Sequence, residues 1–141
     1  MGLPGAGKTT LATELAARLD AAHFNADTVR LQYNDWDFTM QGRLRQAQRM
    51  RQLCDQALEH NRYAIADFIC PTSESRQLFD PQFVIWVNTV DEGIYANTNS
   101  LFAPPDRLDY RVDRFHNVSD LVDILIPLIE QKQSKRKRHH L

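Results

Sequence analysis

Residues 1–12 read MGLPGAGKTTLA. Gly2 to Thr9 fit the pattern G-x-x-x-x-G-K-[ST], a loop whose backbone N–H groups curl around phosphate oxygens. Gly2, Gly5 and Gly7 carry no Cβ, so the backbone can turn inward and an anion can approach closely. Lys8 is spaced to reach the β- and γ-phosphates, Thr9 offers its hydroxyl to Mg²⁺, and a helix opening at Lys8 adds its positive end. Such a loop ordinarily joins a buried strand to a helix, yet only Met1 stands before it. The expectation is a phosphate loop set in a sheet whose first central strand is missing. Either the chain starts inside a longer natural protein, or the flanking strands close up against each other.

Working outward, Leu11, Ala12, Leu15, Ala16 and Leu19 recur at helical spacing and predict a helix over 8–19. AAHFNA (21–26) reads as a strand running into DTVR, and RYAIADFIC (62–70) and FVIWVNT (83–89) are nearly continuous apolar runs, as in strands buried on both faces of a parallel sheet. LDYRV (108–112) is a weaker strand. Leu44, Ala47, Met50, Cys54, Ala57 and Leu58 mark the buried face of a helix over about 40–60, with Arg and Gln on its other sides. Leu121, Ile124, Leu125, Leu128 and Ile129 mark the last helix, opened by Asn117 or Ser119 and kinked or shortened at Pro127. Strand and helix alternate throughout, which predicts a three-layer α/β fold with a parallel sheet and ligands at the strands' C-terminal edge.

A length of 141 residues with 43% hydrophobic content suits one domain with one core, here residues 1–131. Five cations (Lys132, Lys135, Arg136, Lys137, Arg138) lie in residues 132–141 while the whole chain carries −1, so a basic tail follows a mildly acidic body. Such a run reads as a solvated, disordered end, or as an aid to nucleic-acid contact. No apolar run approaches a membrane span and no signal segment opens the chain, which points to the cytoplasm. Cys54 and Cys70 lack metal-ligand spacing and read as ordinary small buried residues.

The candidate nucleotide loop is Gly2, Leu3, Pro4, Gly5, Ala6, Gly7, Lys8, Thr9 and Thr10. Asp27, just past a strand end, is a candidate base and Mg²⁺ partner, or an N-cap for the residues after it. Asp67 ends the strand YAIAD and is a candidate Mg²⁺ partner or a structural strand end. Arg43 and Gln46 face the same way on their helix and could grip a phosphate, sulfate or ribose. Phe38 and Phe68 read as core or as flat faces for a base.

In order along residues 2 to 76, these blocks resemble the adenylylsulfate kinases, which pass the γ-phosphate of ATP to adenosine phosphosulfate. GLPGAGKTTLA is similar to that family's opening loop and NADTVR to its D-G-D-N-V-R. NDWDFTMQGRLRQAQR resembles N-x-D-L-G-F-S-x-x-D-R-x-x-N-x-R-R, and FICP with Arg76 resembles F-I-S-P and the Arg after it. The resemblance implies an ATP- and Mg²⁺-dependent kinase in which Lys8 and Asp27 are catalytic. Thr9, Asp27 and Asp67 would serve the metal, Arg30, Arg43 and Gln46 would bind phosphosulfate and ribose, and Phe38 and Phe68 would flank adenine. Three positions depart from the pattern: Asn25 for the first Asp, Gln46 for Asn and Cys70 for Ser. N-x-D-x-x-R is also similar to polynucleotide 5′-hydroxyl kinases, with the Asp as base. The family's lid motif R-D-x-K-G-L-Y has no counterpart between Asn88 and Asp106, which contains no Lys or Arg. A weakened kinase or a non-catalytic nucleotide-binding module is therefore an alternative expectation.

Overall fold

The apolar spacing after the glycine loop winds Lys8–Leu19 into α1, which buries Leu11, Ala12, Leu15 and Ala16. A computed structural model describes residues 1–3, 5–89, 102–114 and 117–139, with side chains described to residue 135. After α1 come β1 (Ala22–Asn25), α2 (Ala26–Tyr33), α3 (Met40–Ala57), β2 (Ala64–Asp67) and α4 (Ser73–Phe79). β3 (Ile85–Val87), β4 (Tyr110–Val112) and α5 (Val118–His139) complete the described elements. The lid stretch expected from Asn88 to Asp106 falls mostly on residues outside those described.

The strands form two parallel pairs, with β1 beside β2 and β3 beside β4. Ala22 faces Ala64 across the first pair and Ile85 faces Tyr110 across the second. One core cluster joins α1 and α5 to the second pair through Leu11, Leu15, Val87, Val112, Val122 and Leu125, and Ile65 of β2 packs against it. The other gathers Val29, Ala47, Met50, Phe68 and Cys70, with Phe24 and Ala66 packed against it. Ile65 and Ala66 thus face opposite ways, as the period of a strand requires. Helices cover both faces, which is the three-layer α/β fold.

The place of the first central strand is open. β2 and β3 do not pair with each other among the described residues, so the direct closure that the sequence allowed does not occur. Met1 alone occupies the line between them. Its amino group donates to Ile85 O at 2.8 Å, and its carbonyl accepts from Val87 N at 2.8 Å. Two bonds straddling Trp86 are one rung of a parallel ladder. The rest opens into a cleft of about 1150 Å³ that is lined by both strand edges and by Leu11, Leu15 and Leu19 of α1 and extends on to Arg51, Arg76, Pro105 and Lys132. This opening explains why most residues of β2 and β3 are only half-buried, although their apolar runs predict strands covered on both faces.

Other expectations are corrected by local packing. The buried face of α3 contains Gly42, Arg43 and Gln46, whereas Leu58, placed on that face from its spacing, is 40% exposed. The polar members are tolerated inside because each meets a backbone carbonyl: Arg43 Nε donates to Phe38 O and Gln46 Nε2 to Ala26 O. α5 neither stops nor shortens at Pro127. Val122 and Leu125 form its buried line while Ile124 is 50% exposed. Asp123 and Pro127 both lie on the exposed side, where water can take the carbonyl that proline leaves unpaired. The helical backbone continues to His139.

Gly2 is pinned where the loop meets β3. A Cβ there would lie 2.4 Å from Val87 O, and its φ of 152° disfavours a side chain. Gly2→Ala is expected to cost about 2–4 kcal/mol through overpacking and backbone strain, read as a lowered urea midpoint.

Candidate functional site

The loop is shaped by its own backbone and anchored by its neighbours. Gly5 (φ 83°) and Gly7 (φ 97°) take left-handed conformations, and Ala6 N donates to Leu3 O at 3.2 Å. Thr89 Oγ1, just past β3, donates to Ala6 O at 2.6 Å. Gly7 is the N-cap of α1 and no side chain caps that helix, so its leading N–H groups are left for an anion. Pro4, placed in the nucleotide loop from the motif, lies outside the described residues, and Thr10 is exposed on α1. Lys8 folds back over the loop, Nζ donating to Leu3 O at 2.9 Å. Burial lowers the Lys8 pKa, and the carboxylates of Asp67 and Asp27 oppose that shift.

At the ends of β1 and β2, which are register partners, stand Asn25 and Asp67. Asn25 Nδ2 donates to Thr9 Oγ1 at 3.2 Å and to Asp67 Oδ2 at 3.0 Å. Its Oδ1 accepts from Thr28 N at 3.1 Å and so caps α2. One side chain thereby joins the phosphate loop, the β2 carboxylate and the next helix. The capping role weighed for Asp27 belongs to Asn25, and Asp27 sits exposed in the first turn of α2. Asp67 is buried. Burial would raise its pKa, but the approach of His23, the hydrogen bonds of Asn25 and Thr9 and the charge of Lys8 outweigh it and hold the carboxyl below its usual value. His23 Nε2 lies 3.5 Å from Asp67 Oδ2 with no well-formed hydrogen bond of its own. Sequence reading passed over His23, because only its position on β1 opposite the β2 carboxylate gives it meaning.

A second cluster lies beside this one. Arg30 is buried, and its Nη1 donates to Asp35 O and Asp37 O at 3.0 and 3.1 Å. Its guanidinium stands 4.3 Å from the centre of the Phe38 ring, with that of Arg43 at 5.5 Å. Phe38 itself is 47% exposed. Gln46 is buried and also accepts from Arg49 at 2.9 Å. Phe68 is packed in the second core cluster, edge-on to Phe79 at 5.2 Å. Arg76 is spent on backbone carbonyls, donating to Cys70 O at 3.0 Å, to Pro71 O and to Ala103 O. Both cysteines are buried and unpaired, and burial pushes the Cys54 thiol up to about 11.

The donor set near the loop is a hydroxyl and two carboxylates. Among the described residues no group of three or more His, Cys, Asp or Glu side chains gathers as a metal cage. Oxygen donors few in number fit Mg²⁺, which keeps several waters and shares phosphate oxygens. Asn25→Ala is expected to lower stability by about 1–2 kcal/mol through the lost cap and bridge. Asn25→Ser, which keeps a capping oxygen, should recover part of that loss in the same denaturation experiment.

Phosphate loop, strand-end carboxylate and parallel strands define a P-loop nucleoside triphosphate hydrolase-like fold. The chain belongs to the AAA domain family, whose model matches residues 1–87. No curated protein matches it in sequence. Among solved structures, the APS kinase CysC of Mycobacterium tuberculosis, in complex with AMPPNP and APS, aligns with a TM-score of 0.76 and 21% identity, over 92% of this chain and 94% of that one. The crystal structure of APE1195 aligns with a TM-score of 0.77 and 24% identity, over 92% of each chain. The fold shared with these proteins spans nearly the whole chain. Among the described residues no helix is long and apolar enough to cross a membrane.

Proposed function

We propose that this chain is an ATP-dependent phosphotransferase that moves the γ-phosphate to a hydroxyl of adenylylsulfate or a related small anionic nucleotide. The observation that carries the reading is the electrostatic continuity of the two clusters. Lys8 feels both Asp67 and Asp27, while Arg30 feels Asp27 and Arg43. In this reading the phosphate loop and the cluster of Arg30, Arg43 and Phe38 meet at Asp27, whose charge acts on both Lys8 and Arg30. The APS kinase of similar fold binds AMPPNP and APS, which supports the same pairing of nucleotides here.

In this reading the loop N–H groups and Lys8 hold the β- and γ-phosphates, and Asp27 takes the proton of the attacking hydroxyl. Arg30 and Arg43 put positive charge beside Phe38, whose exposed ring offers a face to the acceptor's base. Thr9, Asp67 and Asp27 would hold Mg²⁺, which when bound offsets charge on the phosphate oxygens. ATP turnover by the purified chain should rise when adenosine phosphosulfate is added. A flat background across nucleotide acceptors would overturn the reading, and labelling of an oligonucleotide 5′ end in the same panel would move the acceptor to nucleic acid.

A second reading, a nucleotide-binding module without catalysis, is favoured by Asn25. Its amide donates to both Thr9 and Asp67, the place a cation would occupy between them. Calorimetric ATP binding with no transfer to any acceptor would select this reading.

A further inference from the structure

His23 Nε2 is a buried polar atom without a hydrogen-bond partner among the described residues. Buried polar atoms are bonded in the great majority of cases, because an unmade bond leaves the cost of desolvation uncompensated. The Asp67 carboxylate faces this nitrogen, with Oδ2 3.5 Å away. That is about 0.6 Å beyond a normal N–H···O bond, a gap that a small rotation of either side chain closes. A carboxylate accepts and does not donate, so the neutral ring can serve it only with its proton on Nε2.

The register of β1 and β2 explains why the pair meets. Phe24 and Ala66 pack into the cluster beneath α3, so His23, Asn25, Ile65 and Asp67 share the opposite face. Asn25 is level with Asp67 at the strand ends, and His23 is level with Ile65, two residues further into the sheet. Asp67 Oδ2 is therefore approached from the edge by Asn25 Nδ2 at 3.0 Å and from within the sheet by His23. One oxygen with two lone pairs can serve both donors. The two are not equivalent. Asn25 also donates to Thr9 Oγ1, and its amide stands where a cation shared by Thr9 and Asp67 would sit. Against the burial that raises the Asp67 pKa, His23 leads the groups that hold it below its usual value, ahead of Asn25, Thr9 and Lys8.

We propose that His23 is the positioning residue of the strand-end carboxylate: its Nε2–H donates to Asp67 Oδ2 and fixes the side-chain rotamer, which leaves the other carboxylate oxygen for the Mg²⁺ of a bound nucleotide. The proposal rests on the reading of Thr9 and Asp67 as Mg²⁺ partners and not on phosphoryl transfer. With Mg²⁺-ATP bound, the Asn25 amide gives up its place between Thr9 and Asp67. The bond from His23 then keeps the carboxylate aimed at the loop.

The test has a spectroscopic arm and a binding arm. In the chain carrying nitrogen-15 histidine, the His23 ring, identified by its loss in His23→Gln, should show a protonated Nε2 and a bare Nδ1 where imidazole is neutral. ATP affinity is then measured by calorimetry with Mg²⁺ present and with it chelated. His23→Ala is expected to weaken ATP binding about tenfold with Mg²⁺, the size of one charge-assisted hydrogen bond, and to stay within about twofold without it. His23→Gln, whose amide nitrogen can stand in for Nε2, should recover most of the affinity. A proton on Nδ1, full Mg²⁺-dependent affinity in His23→Ala, or no recovery in His23→Gln would overturn the proposal. An equal loss with and without Mg²⁺ would also overturn it and make His23 a packing residue. The expected tautomer and affinities in a chain that transfers no phosphate would support this proposal and overturn the kinase reading instead.

Discussion

Lys8→Ala is expected to reduce phosphoryl transfer by about 10²–10³-fold, the loss that follows removal of one preorganised donor from a charge-developing site. Lys8 is the cation of the loop, held by Leu3 O and facing Asp67 and Asp27. The substitution removes its charge and its tie to the loop, but it also relieves the burial of that charge, so the fold should change little, within about 1.5 kcal/mol for one hydrogen bond. Steady-state kinetics beside a denaturation curve separate the two effects. Lys8→Arg keeps the charge but not the reach to Leu3 O, and should restore ATP binding more than turnover. Equal activity of Lys8→Ala and the parent chain would remove the phosphate loop from the mechanism.

The second large effect is on pH. Burial, with the charge of Lys8, lowers the Met1 amino group from 8.0 to about 5, while Cys70 and Asp67 oppose the shift and Arg76 adds to it. The folded form therefore holds this nitrogen uncharged at a pH where the unfolded chain protonates it. Its contribution to stability is complete above pH 8 and is lost as pH falls toward 5. The slope across that window approaches ~1.4 kcal/mol per pH unit. Urea midpoints between pH 5 and 8 should rise accordingly, and enzymatic or chemical acetylation of the amino group should flatten the curve. A curve of unchanged slope after acetylation would assign the dependence to other groups. Asp67, whose pKa is lowered from 3.8, acts in a more acidic window, with stability lost as pH falls below that value.

Much of the architecture was legible from local pattern. α1 and the strands followed from apolar spacing, and the four parallel strands emerged where continuous or alternating runs placed them. α2 was anticipated only as a helix or turn capped by Asp27, and α4 not at all: each is about two turns long, too short for a periodic stripe, and each is fixed by a cap, Asn25 in one case and Thr72 in the other. The face of α3 was misjudged because hydropathy assigns Arg43 and Gln46 to solvent. Inside, backbone carbonyls of Phe38 and Ala26 take their protons.

The candidate site divides in the same way. Loop residues carry their chemistry in a contiguous motif, so Lys8 and Thr9 could be singled out at once. Asn25 and His23 gain their roles only when β1 and β2 pair in register and bring Asp67 alongside, and no local pattern records that register. Arg30 was visible as a cation, but not as the buried guanidinium that holds the loop through Asp35 and Asp37.

The bridge made by Asn25 has a consequence at the level of the gene. Asparagine and aspartate have nearly the same shape, and their codons differ by a single base. One nucleotide change would exchange the amide that joins Thr9 to Asp67 for a second carboxylate at the same spot. Two strand-end acids side by side would offer a cation carboxylate oxygens from both strands, whereas an acid and an amide leave Asp67 as the one strand-end carboxylate of this pair. The lineage that carries this chain thus sits one point mutation from the other arrangement, and with the backbone left in place, selection can cross between them in either direction.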